Sequence, residues 1–139
     1  MNLYKKVEYL LYNYKTMKAE IKNIDLEIEQ LEYIGCAGIS YEEKSAPTNQ
    51  FSSSVENEVI SREKRIAVLN QSKKETSIKI SKIDNALEVL DTRQHNIITM
   101  TYFDKLSYRE ISTRIDLTED YIGDLKRDII GKISGLIYF

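Results

Sequence analysis

"LSYREISTRIDLTEDYIGDLKRDII" (residues 106–130) is the stretch whose reading decides the fold. Ser107 precedes an apolar-spaced run and Glu110 stands three residues on. That is a Ser-x-x-Glu capping box, and it predicts a helix whose inner face is Ile111 and Ile115. Asp116 and Leu117 turn the chain. Thr118 then predicts the cap of a last helix, with Ile122, Leu125, Ile129, Ile133 and Leu136 inward. Two capped helices joined by a tight turn have the layout of a helix-turn-helix. In such a device the first helix lies across the DNA backbone and holds the second, whose N-terminal residues reach base edges. Any small helical core shares caps and apolar spacing, so the pattern alone leaves a protein-docking module equally open.

Upstream, "DTRQHNIITMTYF" (91–103) predicts another helix, capped by Asp91 or Thr92. Its buried face is Ile97, Ile98, Tyr102 and, at the margin, Phe103. The expected helix-turn-helix domain is thus 91–139. From residue 91 onward there are seven basic residues (Arg93, Lys105, Arg109, Arg114, Lys126, Arg127, Lys132) and eight acidic ones. A phosphate-binding surface must then arise by segregation of charge rather than by excess.

Residues 1–90 read differently. Leu3, Val7, Leu10, Tyr14, Met17, Ile21, Ile24, Ile28 and Leu31 follow one another at alternating steps of four and three. A 3.5-residue period sustained this long predicts a coiled-coil arm over 1–34, and these nine residues are the expected oligomerisation seam. A long amphipathic core helix is the competing reading. Gly35 and Gly38 are expected to end the arm, and 35–54, with the only Pro (Pro47) and a run of three Ser, to form a flexible connection. A second heptad run over 55–90 uses Val55, Val59, Ile66, Leu69, Ile80, Ile83, Leu87 and Leu90, with polar Arg62, Lys73 and Thr76 at the seam positions between. The first arm is basic early (Lys5, Lys6, Lys15, Lys18, Lys22) and acidic late (Asp25, Glu27, Glu29, Glu32). The second runs the same way, from Arg62, Lys64 and Arg65 to Asp84 and Glu88. Folding the arms back antiparallel sets basic against acidic at both ends. An antiparallel homodimer of the first arm satisfies the same charges.

The bulk composition fits an all-α protein: 30% charged residues, five Gly and one Pro in 139 residues. A formal net charge of −2 argues against a generally sticky nucleic-acid binder. The lone Cys36 excludes an intramolecular disulfide framework and a Cys-rich zinc site. No apolar run reaches the roughly 20 residues that span a bilayer. "MNLYKKVEYLLYNYKTMK" (1–18) has no signal-peptide cleavage pattern, so a cytoplasmic protein without membrane contact is expected. No Gly-rich phosphate loop, paired nucleophile and base, or metal-ligand spacing is present, so neither an enzyme nor a cofactor is expected.

Residues 90–133 resemble region 4 of bacterial sigma factors, and more closely the sigma-like late-gene regulators of phages and prophages of the RinA and ArpU kind. The likeness rests on Leu90, Arg93, the Tyr102-Phe103 pair, Leu106-Ser107-Tyr108-Arg109-Glu110-Ile111, and Thr118-Glu119-Asp120-Tyr121-Ile122. Two positions depart from the family pattern: Ser112 stands where Ala is usual, and Asp116 where Gly is usual. Asp tolerates the left-handed backbone better than most residues. No counterpart of the sigma segment that melts the promoter is evident. The resemblance therefore implies a transcription regulator or partial sigma-like activator of promoter duplex DNA in a bacterial host cell, not a self-sufficient sigma factor, whose arms dimerise or bind RNA polymerase. The heptad seam itself is what predicts a homo-oligomer, a dimer first.

Within such a module Tyr121 and Arg127 are the candidates for base or groove contact. Asp124 is placed to accept from a cytosine amino group. Tyr108, Arg109, Arg114, Lys126 and Lys132 are the candidates for backbone contact. Competing readings stand beside these. Arg109 could pair with Glu110 or Asp104, and Tyr108 and Tyr121 could pack on the core. His95 and Cys36 read as bland surface and linker residues. Two other classes fit the same pattern: a structural or interaction protein, and a phage terminase small subunit.

Overall fold

A computed structural model describes the backbone of residues 2–42 and 49–139, and the side chains of all of these but 36–42 and 49–53. The described residues form six α-helices and no strand: α1 (Leu3–Tyr12), α2 (Tyr14–Glu42), α3 (Asn49–Glu88), α4 (Thr92–Ile98), α5 (Tyr108–Ile115) and α6 (Glu119–Ile137). A π-helical turn, Thr99–Phe103, extends α4. The all-α expectation holds.

Several expected boundaries move. The first arm is not one helix. Asn13 interrupts it, donating both its backbone N–H (3.1 Å) and its side-chain Nδ2 (2.7 Å) to the Tyr9 carbonyl. An Asn side chain that competes for backbone partners in this way closes a helix. The expected stop at Gly35 also fails: α2 runs on to Glu42, and α3 begins at Asn49. Gly35 is buried at the next seam position after Leu31. It allows a close approach there, since a Cβ would lie 3.1 Å from Nη1 of Arg62. Of the expected flexible connection, residues 43–48, with Pro47, lie outside the described residues.

The chain divides into two compact units: 1–18 together with 78–139, and 19–77. The expected division at residue 91 therefore shifts, for a physical reason. Val7, Leu10 and Leu11 of α1, Tyr14 and Met17 of α2, and Ile80, Ile83, Ala86 and Leu87 of α3 are buried in the same unit as the C-terminal helices. Each such apolar side chain contributes about 1.5–3 kcal/mol when fully buried, so α1 is integral to that unit. It packs on α6 and on the π-helical turn. Val7, Leu10, Tyr14 and Met17, expected in an oligomer seam, are thus occupied within their own chain. Leu3, at 43% exposed, is not part of any buried seam.

The other unit, 19–77, is an antiparallel helix pair. Asp25 pairs with Lys73 (2.6 Å) and Glu27 with Arg65 (3.2 Å). Ile21, Ile24, Ile28 and Leu31 on α2 are half-buried, as are Val55, Val59, Ile66 and Leu69 on α3. The polar seam residues Arg62, Lys73 and Thr76 are half-buried with them. The heptad phase read from the sequence is therefore the phase of burial, and on the acidic half of the first arm the antiparallel charge pairing is made within one chain. Both pairs are partly solvent-exposed, so they bear on register more than on strength.

Candidate nucleic-acid interface

Each helix of the 107–137 pair starts where the sequence places its cap. Ser107 Oγ accepts from the Glu110 N–H at 3.2 Å, and Thr118 Oγ1 from the Tyr121 N–H at 3.2 Å. The expected capping box at Ser107 is only half made. Glu110 Oε1 accepts from the Ser107 hydroxyl (3.3 Å) rather than from its backbone N–H. The full box occurs at Asp91 and Gln94 instead. Between α5 and α6, Asp116 adopts the left-handed conformation, φ 55° and ψ 45°. Its N–H donates to the Ser112 carbonyl at 3.0 Å, and the Ser112 hydroxyl donates to the Leu117 carbonyl. Both departures from the usual Ala and Gly thus bear on the turn: Asp116 forms it, and Ser112, on α5, ties it down. Beneath it Met100, Ile111 and Ile122 form a core on which Leu106, Tyr108, Ile115 and Leu117 close.

The inward face of α6 is Ile122, Ile129, Ile130, Ile133 and Ile137. Leu136, expected inward, is 47% exposed: an ordinary helix advances 3.6 residues per turn, and Ile137 takes that place. On the outward side Tyr121 is 44% exposed, with the Arg93 guanidinium 5.3 Å from its ring centre. Arg127 is exposed and paired with Asp124, which holds its guanidinium above its already high pKa. Arg109, Arg114 and Lys132 are exposed and enter no ion pair among the described residues. The competing pairs for Arg109 are not made. Asp104 meets Lys15 (3.7 Å), and Glu110 meets Ser107.

Lys126 departs most from expectation. Its side chain is only 15% exposed; its Nζ lies 3.6 Å from Glu8 Oε2 of α1 and 5.3 Å from the Tyr108 ring centre. Burial works against its charge, but the neighbouring Tyr108, Tyr4 and Glu8 outweigh that and leave its pKa raised. A lysine so held is not free to meet a phosphate. Glu8 also accepts from the buried Tyr102 hydroxyl at 2.7 Å. Burial and the Glu8 carboxylate together push the Tyr102 phenol far above its ordinary range, so it remains a neutral donor. Tyr108 is half-buried against the Met100 core, as its competing reading has it.

The structure thus brings Asp124 and Arg127 together on α6, while Tyr121 lies against Arg93 and Arg109 stands in the first turn of α5. An open cleft of about 850 Å³ is lined by Tyr4, Tyr108, Glu119, Asp120, Asp124 and Arg127. Nothing in the sequence announces Tyr4, Glu8 and Arg93 as neighbours of this site. Glu8 and Tyr102 are 94 residues apart, and no local pattern signals such a contact.

Two capped helices around a left-handed turn, packed on the helix before them, make this a helix-turn-helix domain. Residues 86–134 match the family model Sigma-70, region 4, a DNA-binding domain. No curated protein and no solved structure matches the chain.

Proposed function

We propose that this chain is a non-enzymatic transcription regulator of a phage or prophage, acting in the cytoplasm of a bacterial host. The first three turns of α6 enter the major groove of promoter DNA, and α5 crosses the backbone. The observation that carries the reading is the match of 86–134 to sigma region 4 on a module whose caps and turn suit groove entry. Helix N-termini favour phosphate, Arg109 adds positive charge in the first turn of α5, and Arg114, Arg127 and Lys132 add exposed positive charge further along α5 and α6. The likeness to the RinA and ArpU regulators suggests late genes and RNA polymerase as the further partner. The test is binding to promoter duplexes from a phage genome. Arg109→Ala and Arg127→Ala each weaken it; unchanged binding in both removes the site assignment.

A second reading has its own observation. Glu119, Asp120 and Asp124 crowd the groove-facing turns of α6, and Arg127 is turned onto Asp124. That charge suits a protein-docking module better than a phosphate surface. Asp124→Asn separates the two. Freed of its partner and of a like charge near phosphate, Arg127 binds DNA more tightly under the first reading. Under the second, no duplex binding is gained.

A further inference from the structure

Within 19–77, the outward face of α2 carries a pattern that its pairing with α3 does not use. Ile21, Ile24, Ile28 and Leu31 are the half-buried positions of the helix pair. On the opposite side, at heptad spacing, stand Ala19, Leu26 and Tyr33. Leu26 is 62% exposed and Tyr33 74%. The outermost line of α3 is instead Asn57, Lys64 and Gln71, all exposed, with exposed Ile60 and Val68 off that line. Along its outermost line α2 alone is therefore apolar where a solvated helix is normally polar. Between its apolar residues lie Lys22 and Glu29, both exposed and in no ion pair among the described residues. The series Ala19, Lys22, Leu26, Glu29, Tyr33 alternates steps of three and four, as a helix-packing seam does.

The stripe is complementary to its own reverse. With a second α2 laid antiparallel and Leu26 against Leu26, position 19 faces 33, and 22 faces 30, one residue from Glu29. Small Ala19 then receives the large Tyr33 ring at both ends, and Lys22 meets Glu29 twice. A two-fold interface requires this kind of self-matching, because each contact occurs in duplicate. A parallel pairing would set Lys22 against Lys22 and Glu29 against Glu29.

We propose that two copies of this chain associate antiparallel through the Ala19–Lys22–Leu26–Glu29–Tyr33 stripe of α2. The interface is distinct from the Val7–Leu10–Tyr14–Met17 seam, which is buried within each chain, and it does not depend on whether the chain binds DNA.

Sedimentation equilibrium of the full chain at tens of micromolar tests it. The expected mass is twice that of the chain. Leu26→Glu alters an exposed residue, so helix content by circular dichroism stays the same while two carboxylates meet at the two-fold axis. Like charges so placed raise the dimer Kd by about tenfold or more. Lys22→Glu also weakens the dimer, and Lys22→Glu combined with Glu29→Lys restores it, because each pair is rebuilt with its signs exchanged. A dimer insensitive to Leu26→Glu, or a double exchange that fails to restore association, overturns the proposal. A wild-type chain that is monomeric overturns it too, even if another protein then proves to cover the stripe.

Discussion

Asp116 holds a backbone conformation that strains an L side chain by about 1–2 kcal/mol, less for Asp than for most residues. Ser112 offsets this by donating to the Leu117 carbonyl on the far side of the turn. Asp116→Gly is therefore expected to raise stability, by less than about 1 kcal/mol once glycine's entropy is counted. Ser112→Ala should lower it by about 1 kcal/mol. Urea unfolding midpoints at an unchanged m-value check both. Tyr102 gives a pH dependence. Its folded pKa lies above the unfolded value near 10. Above pH 10 the unfolded chain then binds fewer protons than the folded one. Stability is full below that pH and falls as pH rises beyond it. Tyr102→Phe should flatten this alkaline loss while costing about 1–3 kcal/mol at pH 7, where the half-buried Glu8 loses its donor. At this scale the caps and the Asp116 turn are legible in the sequence because each involves residues only three or four apart. The Glu8–Tyr102–Lys126 group is not, since its members come from opposite ends of the chain.

Among the elements, periodicity carries the most information and glycine misleads. The seam over 55–90 is readable even through Arg62, Lys73 and Thr76, because phase does not depend on every seam residue being apolar. The same signal cannot say what covers a seam. The first half of the early run packs on the C-terminal helices, the second half on α3, and neither needs a second chain. Asn13 marks the first break in that run. Glycine is favoured just past helix ends, so Gly35 reads as a stop signal, yet here it admits Arg62 from the neighbouring helix. A glycine inside a helix costs about 0.8–1.0 kcal/mol relative to Ala. The atom nearest the added Cβ belongs to a flexible guanidinium that can swing aside. Gly35→Ala should thus stabilise the antiparallel pair by about 0.5–1 kcal/mol in thermal unfolding. A lower midpoint would mean that Arg62 is fixed in place.

At the scale of the whole molecule, the division of labour differs from a tail of arms attached to a reading head. The N-terminal 18 residues help to build the unit that holds the helix-turn-helix, and Glu8 of α1 withdraws Lys126 from the exposed basic residues. The surplus positive charge missing from the sequence is not restored by the fold, so any hold on DNA rests on a few exposed cations. That has a quantitative consequence. If Arg109, Arg114, Arg127 and Lys132 each meet a phosphate, log K against log salt has a slope of about −3.6, at about −0.9 per contact. Removal of one of the four lowers the magnitude of the slope by about 0.9. The salt titration of wild-type binding to promoter duplex is therefore the most direct measurement. A slope near that value, reduced by Arg109→Ala, is the result expected of a groove-reading α6. No duplex retention even at low salt, or a slope that Arg109→Ala leaves unchanged, would contradict it.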